Sequence, residues 1–381
     1  MLYAVVLGTC EVSIAGLLLT SGALISGGVG ICCSACNEIF ICPTEDGEFF
    51  FFFGRATTPG KILNSNIKGQ NSSHTSYSYI LEVYVVAGRC VKGIGGWKAE
   101  DRMEYGKLLE LIQRHRSSLE YGEFLHTVRM ELEGPIFDSL RARYGSALQE
   151  FWDSASFPEK SANTVMLVER REHPNIEFVL QNVMYFVREH GFSLTVVCSK
   201  ENEAYVRKIL GKHQATTHIW PYFEDNCDRD KAREEYNLAF KNAEFWEQIR
   251  AEYILSIQTD CYLRKPLPEL VWTVDYVAAP WAWKPWVVGG SGLTFRKKEA
   301  VIDMCKEKPK KKMAEDEFFA HMCLRKKVLP LEIAEHIFSE SRFVDDPVGV
   351  HQWWTYLAQV DIPNETDFFI RHFQSYTTLH V

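Results

Sequence analysis

From Ala162 onward, short apolar runs alternate with stretches of helical periodicity, and this order constrains the fold more than any other feature. Residues 165–168 and 194–198 read as buried strands, and 217–220 as a third. Between the first two, residues 174–189 carry Pro in the first turn and apolar side chains at Ile176, Val179, Leu180, Val183 and Phe186, the spacing of a helix with one buried face. Residues 203–210 and 233–249 read as further helices, and 253–257 as a strand. Strands at 276–279 and 293–295 and helices at 299–305 and 315–324 come next. Elements alternating at these lengths build a doubly wound α/β sheet, mostly parallel, with helices on both faces.

Residues 253–262, YILSIQTDCY, place chemistry on that sheet. The apolar run ends abruptly in Gln258, Thr259 and Asp260, the pattern of a buried parallel strand delivering a carboxylate to its C-terminal tip. Ligands of open α/β sheets bind at that edge. Taken alone, Asp260 is as readily a loop acid that caps the next turn. Three features lie downstream of it. The run VVGGSGLTFRKK holds Gly289, Gly290, Ser291 and Gly292 ahead of a strand, where glycines admit a close ligand or simply make a turn. Glu315 and Asp316 open an apolar helix, where acids also complement the helix dipole. His351 stands between Gly349-Val350 and Gln352-Trp353-Trp354, a setting that equally suits a packed core histidine. Together, a strand-tip carboxylate and a distant His make a ligand set suited to Mn²⁺ or Mg²⁺ with a diphosphate completing the shell. A second acid in the pocket could take a proton from an acceptor hydroxyl.

Composition removes several classes. The net charge of -8 argues against a nucleic-acid partner, which calls for a basic face. The dense basic run at 306–312 reads as a solvated loop. No GxGxxG follows the first strand and no GxxxxGK[ST] occurs, so neither a dinucleotide fold nor a P-loop is supported. The 11 cysteines are odd in number. Four lie in CCSACNEIFIC, residues 32–42, without a second CxxC or a His pair at zinc spacing; Cys198, Cys261, Cys305 and Cys323 read as small core residues.

The chain divides into three parts. Residues 1–98 are hydrophobic and irregular. Within them, 12–33 are uncharged over a length that could span a bilayer, for which ~20 residues suffice. This run implies association with an endomembrane of the Golgi or endoplasmic reticulum kind; without it the expectation is cytoplasmic. Five consecutive Phe at 49–53 and a polar linker with the sequon Asn71-Ser72-Ser73 complete the region. Residues 99–160 alternate charged and apolar positions at helical spacing, interrupted by Gly134-Pro135, and read as two or three helices packed on the domain C-terminal to them. Residues 161–381 hold that α/β domain.

Over about residues 165–354 the sequence resembles the DUF5672 family, a set related to the GT-A-fold glycosyltransferases. The resemblance rests on Arg171-Glu172-His173-Pro174-Asn175, Glu235-Tyr236-Asn237, Glu244-Phe245-Trp246, Ile257-Gln258-Thr259-Asp260, the run from Gly290 to Arg296, Glu315-Asp316, and Gly349-Val350-His351 with Trp354. It implies a GT-A-like αβα sandwich and a transfer of sugar from a nucleotide-sugar donor to the hydroxyl of a glycan, protein or lipid acceptor. By position it implies Asp260 and His351 as metal ligands and Asp316 as base, with Glu315 the alternative. Val168, Glu169, Arg171, Tyr236, Asn237 and Gln258 would line the donor side, and Gly289, Gly290, Ser291 and Gly292 the acceptor side. Such enzymes commonly hold the metal with Asp-x-Asp, but position 262 is Tyr, so the second carboxylate is missing. Gln352 and Trp353 stand where similar motifs carry a Lys-Pro pair. Diphosphate neutralisation then falls to Arg171, Arg296 or the Lys run at 310–312. The missing acid also keeps open a sugar- or nucleotide-binding protein with a degraded site. A nucleotidyltransferase is disfavoured, because residues 170–174 contain no glycine.

Overall fold

The computed structural model describes residues 121–284, 286–289, 292–307, 313–357 and 365–381, together with the backbone of four N-terminal strands. The chain forms two compact units, Met1–Trp97 and Lys98–Val381. In the first, β1 (Val29–Cys32), β2 (Asn37–Pro43), β3 (Phe49–Ala56) and β4 (Leu81–Gly88) form an antiparallel sheet in chain order. The irregular region expected from the sequence is thus corrected over these strands, whose aromatic and β-branched residues suit a pleated backbone. The five-Phe run lies in β3, paired on both sides by β2 and β4, so its backbone offers no free edge for aggregation. Of the uncharged run at 12–33, only 29–32 are described, as strand; the rest, and the sequon at Asn71, lie outside the described residues. Among the described residues no helix is long and apolar enough to cross a membrane.

The second unit opens with α1 (Tyr121–Ser154), one continuous helix of 34 residues with Pro135 inside it. The expected break at Gly134-Pro135 is therefore corrected. A proline within a helix costs about 3 kcal/mol. Against it stands a buried stripe, Phe124, Val128, Leu132, Ile136, Phe137, Leu140, Leu148 and Trp152, that runs straight through the site at helical spacing. Burying a Leu or Phe contributes roughly 1.5–3 kcal/mol, so packing outweighs the local penalty.

Then come β5 (Asn163–Val168), α2 (Ile176–Phe186), β6 (Ser193–Ser199), α3 (Glu203–Leu210), β7 (His218–Phe223), α4 (Arg229–Phe240), α5 (Ala243–Glu247) and β8 (Tyr253–Ile257). They are followed by β9 (Cys261–Leu263), β10 (Tyr276–Ala278), β11 (Leu293–Lys297), α6 (Lys298–Lys306), α7 (Glu315–Met322), α8 (Leu331–Ile337), β12 (Phe338–Ser339), β13 (Gly349–His351), α9 (Trp353–Leu357) and α10 (Glu365–Thr377). The stretch read as one helix at 233–249 is two, α4 and α5, parted where Asn242 caps the second by accepting from the Glu244 N–H.

The central sheet has six strands in the order β10-β11-β8-β5-β6-β7. Strands β8, β5, β6 and β7 are mutually parallel, and β11 alone runs against the others. The chain steps outward from β5 through β6 to β7, then returns to β8 on the other side of β5. Right-handed crossovers therefore place α2 and α3 on one face and α4 and α5 on the other. The α/β class with a mostly parallel sheet is as expected from the sequence. The strand order reverses between β5 and β8, and sheets of this kind bind ligands at the C-terminal strand ends flanking that point. A second, small sheet in the order β12-β13-β9 stands beside it.

Candidate functional site

The small sheet explains how His351 reaches Asp260. Strand β13 pairs antiparallel with β9, setting His351 opposite Cys261, the residue after Asp260. The Gln352 N–H donates to the Asp260 carbonyl at 2.9 Å and fixes that corner. On the other side β12 runs parallel to β13, pairing Ser339 with Val350, so Glu340 leaves its strand beside His351. Three residues far apart in sequence thus meet at one end of a small sheet.

Asp260 is 1% exposed and His351 5%. His351 Nε2 lies 3.2 Å from Asp260 Oδ1, yet neither atom has a hydrogen-bond partner. The other carboxylate oxygen, Oδ2, accepts from Arg129 on α1 at 2.6 Å. His351 Nδ1 lies 3.5 Å from Glu340 Oε1, which accepts from Gln352 Nε2 at 3.1 Å. Gln352 holds φ 31, in the left-handed region that non-glycine residues rarely adopt. Strain of this kind gathers at functional sites. Burial alone would raise the Asp260 pKa, but His351 and Arg129 override it and hold the carboxyl well below its ordinary range. Burial would lower His351, and the Asp260 and Glu340 carboxylates override it, raising the imidazole to about 10.

This geometry fits a divalent cation. Two atoms each about 2.1 Å from one octahedral ion, at a right angle, sit about 3.0 Å apart. The unpartnered oxygen and nitrogen have that spacing and suit Mn²⁺ in type. Glu340 stands behind the ring, 3.5 Å from Nδ1 and without a hydrogen bond to it, where a small shift would let it orient the histidine. Among the described residues no group of three or more His, Cys, Asp or Glu could hold a metal. An ion here would take the rest of its shell from water and substrate oxygens. The missing second acid has a structural reason. Tyr262 is wholly buried, its hydroxyl accepts from Trp353 Nε1 at 2.9 Å and donates to the Tyr376 carbonyl at 3.1 Å. It belongs to the core.

The crevice wall is built by Glu169, at the tip of β5. Its Oε1 accepts from the Arg170 and Arg171 N–H groups and from Arg171 Nε, and its Oε2 from Arg171 NH2 at 2.7 Å. Thr259 Oγ1 donates to the same carboxylate at 3.4 Å, tying β5 to the end of β8. Val168 ends β5 and is buried beneath this turn. Gln258 Nε2 donates to the Tyr236 hydroxyl at 3.1 Å, and Asn237 Oδ1 accepts from the Glu315 N–H at 2.8 Å. The donor-side and base candidates are therefore linked through α4 to the start of α7. Glu315 is buried, whereas Asp316 is partly exposed. Burial, with like charge from Glu340 and Glu317, raises the Asp316 pKa against the Glu317 N–H and Arg233.

Two glycines do what close packing requires. A Cβ on Gly292 would overlap the His351 ring, and one on Gly289 the Trp281 ring. Gly292 thus abuts the proposed metal ligand. Gly290 and Ser291 lie outside the described residues, as does the Lys run at 310–312. Arg296 does not serve as a phosphate cation. It is fully buried under Phe240, Trp246, Tyr276 and Phe319, three residues back from the Leu293–Ile257 pairing at the strand tip. Sequence reasoning missed Arg129 and Glu340. Neither sits in a motif, and only the tertiary pairing brings them in.

The comparisons with known proteins give one family match and several weak structural likenesses. A search of the curated proteins finds no match. Among solved structures, the mannosyltransferase PcManGT from Pyrobaculum calidifontis, in complex with GDP-Man and Mn²⁺, aligns at 14% identity and TM-score 0.33, covering 66% of this chain and 81% of that one. The apo glycosyltransferase GlyE of Streptococcus pneumoniae TIGR4 aligns at 10% identity and TM-score 0.33, covering 56% and 64%. Apo mouse xyloside xylosyltransferase 1 aligns at 9% identity and TM-score 0.34, covering 50% and 97%. Likenesses this weak assign neither activity nor substrate to this chain. The family match is narrower than the 165–354 over which the sequence resembles it. Residues 221–351, which hold Tyr236, Asn237, Asp260, Asp316 and His351, match the family described as Protein of unknown function (DUF5672), the family that the sequence resembles.

Proposed function

We propose that the protein is a GT-A-like glycosyltransferase that moves a sugar from a nucleotide-sugar donor to an acceptor hydroxyl. The observation that carries this reading is the buried pair Asp260 Oδ1 and His351 Nε2, 3.2 Å apart and both unpartnered, at the crevice where the strand order reverses. A Mn²⁺ or Mg²⁺ ion bound there would neutralise charge developing on the leaving diphosphate. Glu169 holds Arg171 on the donor side, with two of the guanidinium nitrogens already donating to its carboxylate. Gln258, Tyr236 and Asn237 form the donor-sugar side, and Gly289 to Gly292 the acceptor side. In the transfer, the bond from the anomeric carbon to the diphosphate oxygen breaks and one to the acceptor oxygen forms. The acceptor proton passes to Asp316, whose raised pKa suits a base better than an ordinary surface acid would. Glu315 is the less accessible alternative.

The test is a thermal-shift screen of nucleoside diphosphates and nucleotide sugars with and without Mn²⁺, followed by donor hydrolysis. Ligand binding to the folded state raises the melting temperature by mass action. A stabilising nucleotide sugar whose effect needs Mn²⁺, with slow hydrolysis of that donor, supports the reading. Tyr262 in the core, where an acid would be expected, favours a second reading: a binding protein built on the same fold. Mn²⁺-dependent binding without hydrolysis or transfer to any acceptor would select it. The uncharged run at 12–33 supports a membrane anchor, and release of the full-length protein by carbonate extraction would remove that proposal.

A further inference from the structure

We propose that Arg129, on helix α1 and outside the stretch that matches the family, is a ligand of the donor diphosphate and supplies the positive charge that Gln352 and Trp353 do not. The inference rests on the glycosyltransferase reading and adds a residue to it. Helix α1 is seated by its buried stripe, and the Arg129 carbonyl accepts from Trp354 Nε1 at 3.2 Å, which fixes the backbone at that residue. From there the guanidinium reaches Asp260 Oδ2 at 2.6 Å, with its side chain 37% exposed against 2% for the acid. Arg129 therefore joins the buried carboxylate to solvent. One of its five N–H donors is spent on Asp260, and the others have no hydrogen-bond partner among the described residues. A planar cation with free donors, beside a metal-type pair and at a crevice, has the form that recognises phosphate oxygens. The two other candidate cations on the sheet differ from it. Arg171 has its fork taken up by Glu169, and Arg296 is enclosed by aromatic rings.

Charge arithmetic points the same way. A two-carboxylate grip with a divalent ion is neutral before the donor binds. Here Asp260, Arg129 and a divalent ion sum to two positive charges, less the negative charge of Glu340 behind His351. Without the ion Asp260 and Arg129 cancel, so the weaker diphosphate affinity that remains would come from the free N–H donors of Arg129.

The experiment is calorimetric titration of inorganic pyrophosphate and of a panel of nucleoside diphosphates, in EDTA and in Mn²⁺. Wild-type protein should bind in both, more weakly in EDTA and with affinity that falls as salt rises. Arg129→Gln should lower the EDTA affinity about tenfold or more, the effect of one charged hydrogen bond, and Arg129→Lys should recover part of it. Because Arg129→Gln leaves the Asp260 carboxylate buried without its cation, Asp260→Asn supplies the folded background. That single variant should keep its EDTA binding while losing the Mn²⁺ enhancement, and adding Arg129→Gln to it should remove what remains. Unchanged EDTA binding in both Arg129→Gln backgrounds, with Mn²⁺ enhancement intact in wild type, overturns this inference and leaves the glycosyltransferase reading standing. No nucleoside diphosphate binding by wild type in either condition overturns both.

Discussion

Strand β9 is three residues long and is flanked by two buried charges that could hardly differ more. Arg264, just after it, is 1% exposed and fully committed: Nε donates to the Thr378 carbonyl, NH1 to the Pro347 carbonyl and NH2 to Asp346 Oδ1, at 3.1, 2.7 and 3.0 Å. Asp260, just before it, is equally buried, but one of its oxygens faces a histidine nitrogen with which it makes no hydrogen bond. Burying a polar atom without a partner costs about 1–3 kcal/mol. Under the proposed reading the difference is one of role: Arg264 maintains structure, and Asp260 Oδ1 is kept for an ion.

That contrast can be broken most directly at Arg264. Arg264→Met should destabilise the unit by about 3 kcal/mol, because it strands the Pro347 and Thr378 carbonyls in the core, while Asp346 keeps Lys265; urea unfolding reads this. A loss below about 1 kcal/mol would mean that Arg264 is no more structural than its neighbour. Next, Asp260→Asn should abolish Mn²⁺-dependent nucleotide binding in the thermal-shift assay, while urea unfolding shows a change of about 1 kcal/mol or less, since the isostere keeps the shape and Arg129 is already part-solvated. A structural Asp260 would show the reverse, large destabilisation with binding intact. Glu340→Gln should leave unfolding unchanged and weaken Mn²⁺ binding, followed by electron paramagnetic resonance, about tenfold, the usual cost of removing a carboxylate that orients a ligating histidine. The smallest effect should come from removing residues before Ala99, which should leave nucleotide affinity unchanged. Starting instead at Ala162 removes α1 and Arg129, and should not.

The sheet was legible because strands buried on both faces read as apolar runs, and amphipathic helices between them leave a period of their own. Asp260 was legible for the same reason, as the polar end of such a run. Two parts of that reading changed. Gly134-Pro135 looked like a helix break because local penalty is visible in sequence and the stripe of tertiary contacts that offsets it is not. Asp260 looked like an exposed strand-tip acid, whereas β13 and α1 cover it. His351 was legible only in combination with Asp260, since a histidine among tryptophans has no local signature, and its position as a ligand came from the family resemblance. Arg129 and Glu340 were invisible: one sits among other charges in VRMELE, the other in SES, and the pairing of β12 with β13 and the docking of α1 are what give them meaning.

The small sheet also sets when the site can exist. The Arg129–Asp260 pair joins positions 131 residues apart, and the Tyr262 hydroxyl meets the Tyr376 carbonyl across 114. Closing such loops costs entropy before any contact returns it, so long-range pairings of this kind form slowly. The His380 N–H also donates to the Arg264 carbonyl, so the end of the strand that carries the acid is braced by the last residues of the chain. The central sheet can therefore be complete while the binding corner is still open. Ligand should then act on kinetics before it acts on shape, slowing amide exchange in β9 and β13 and leaving β5 and β6 untouched.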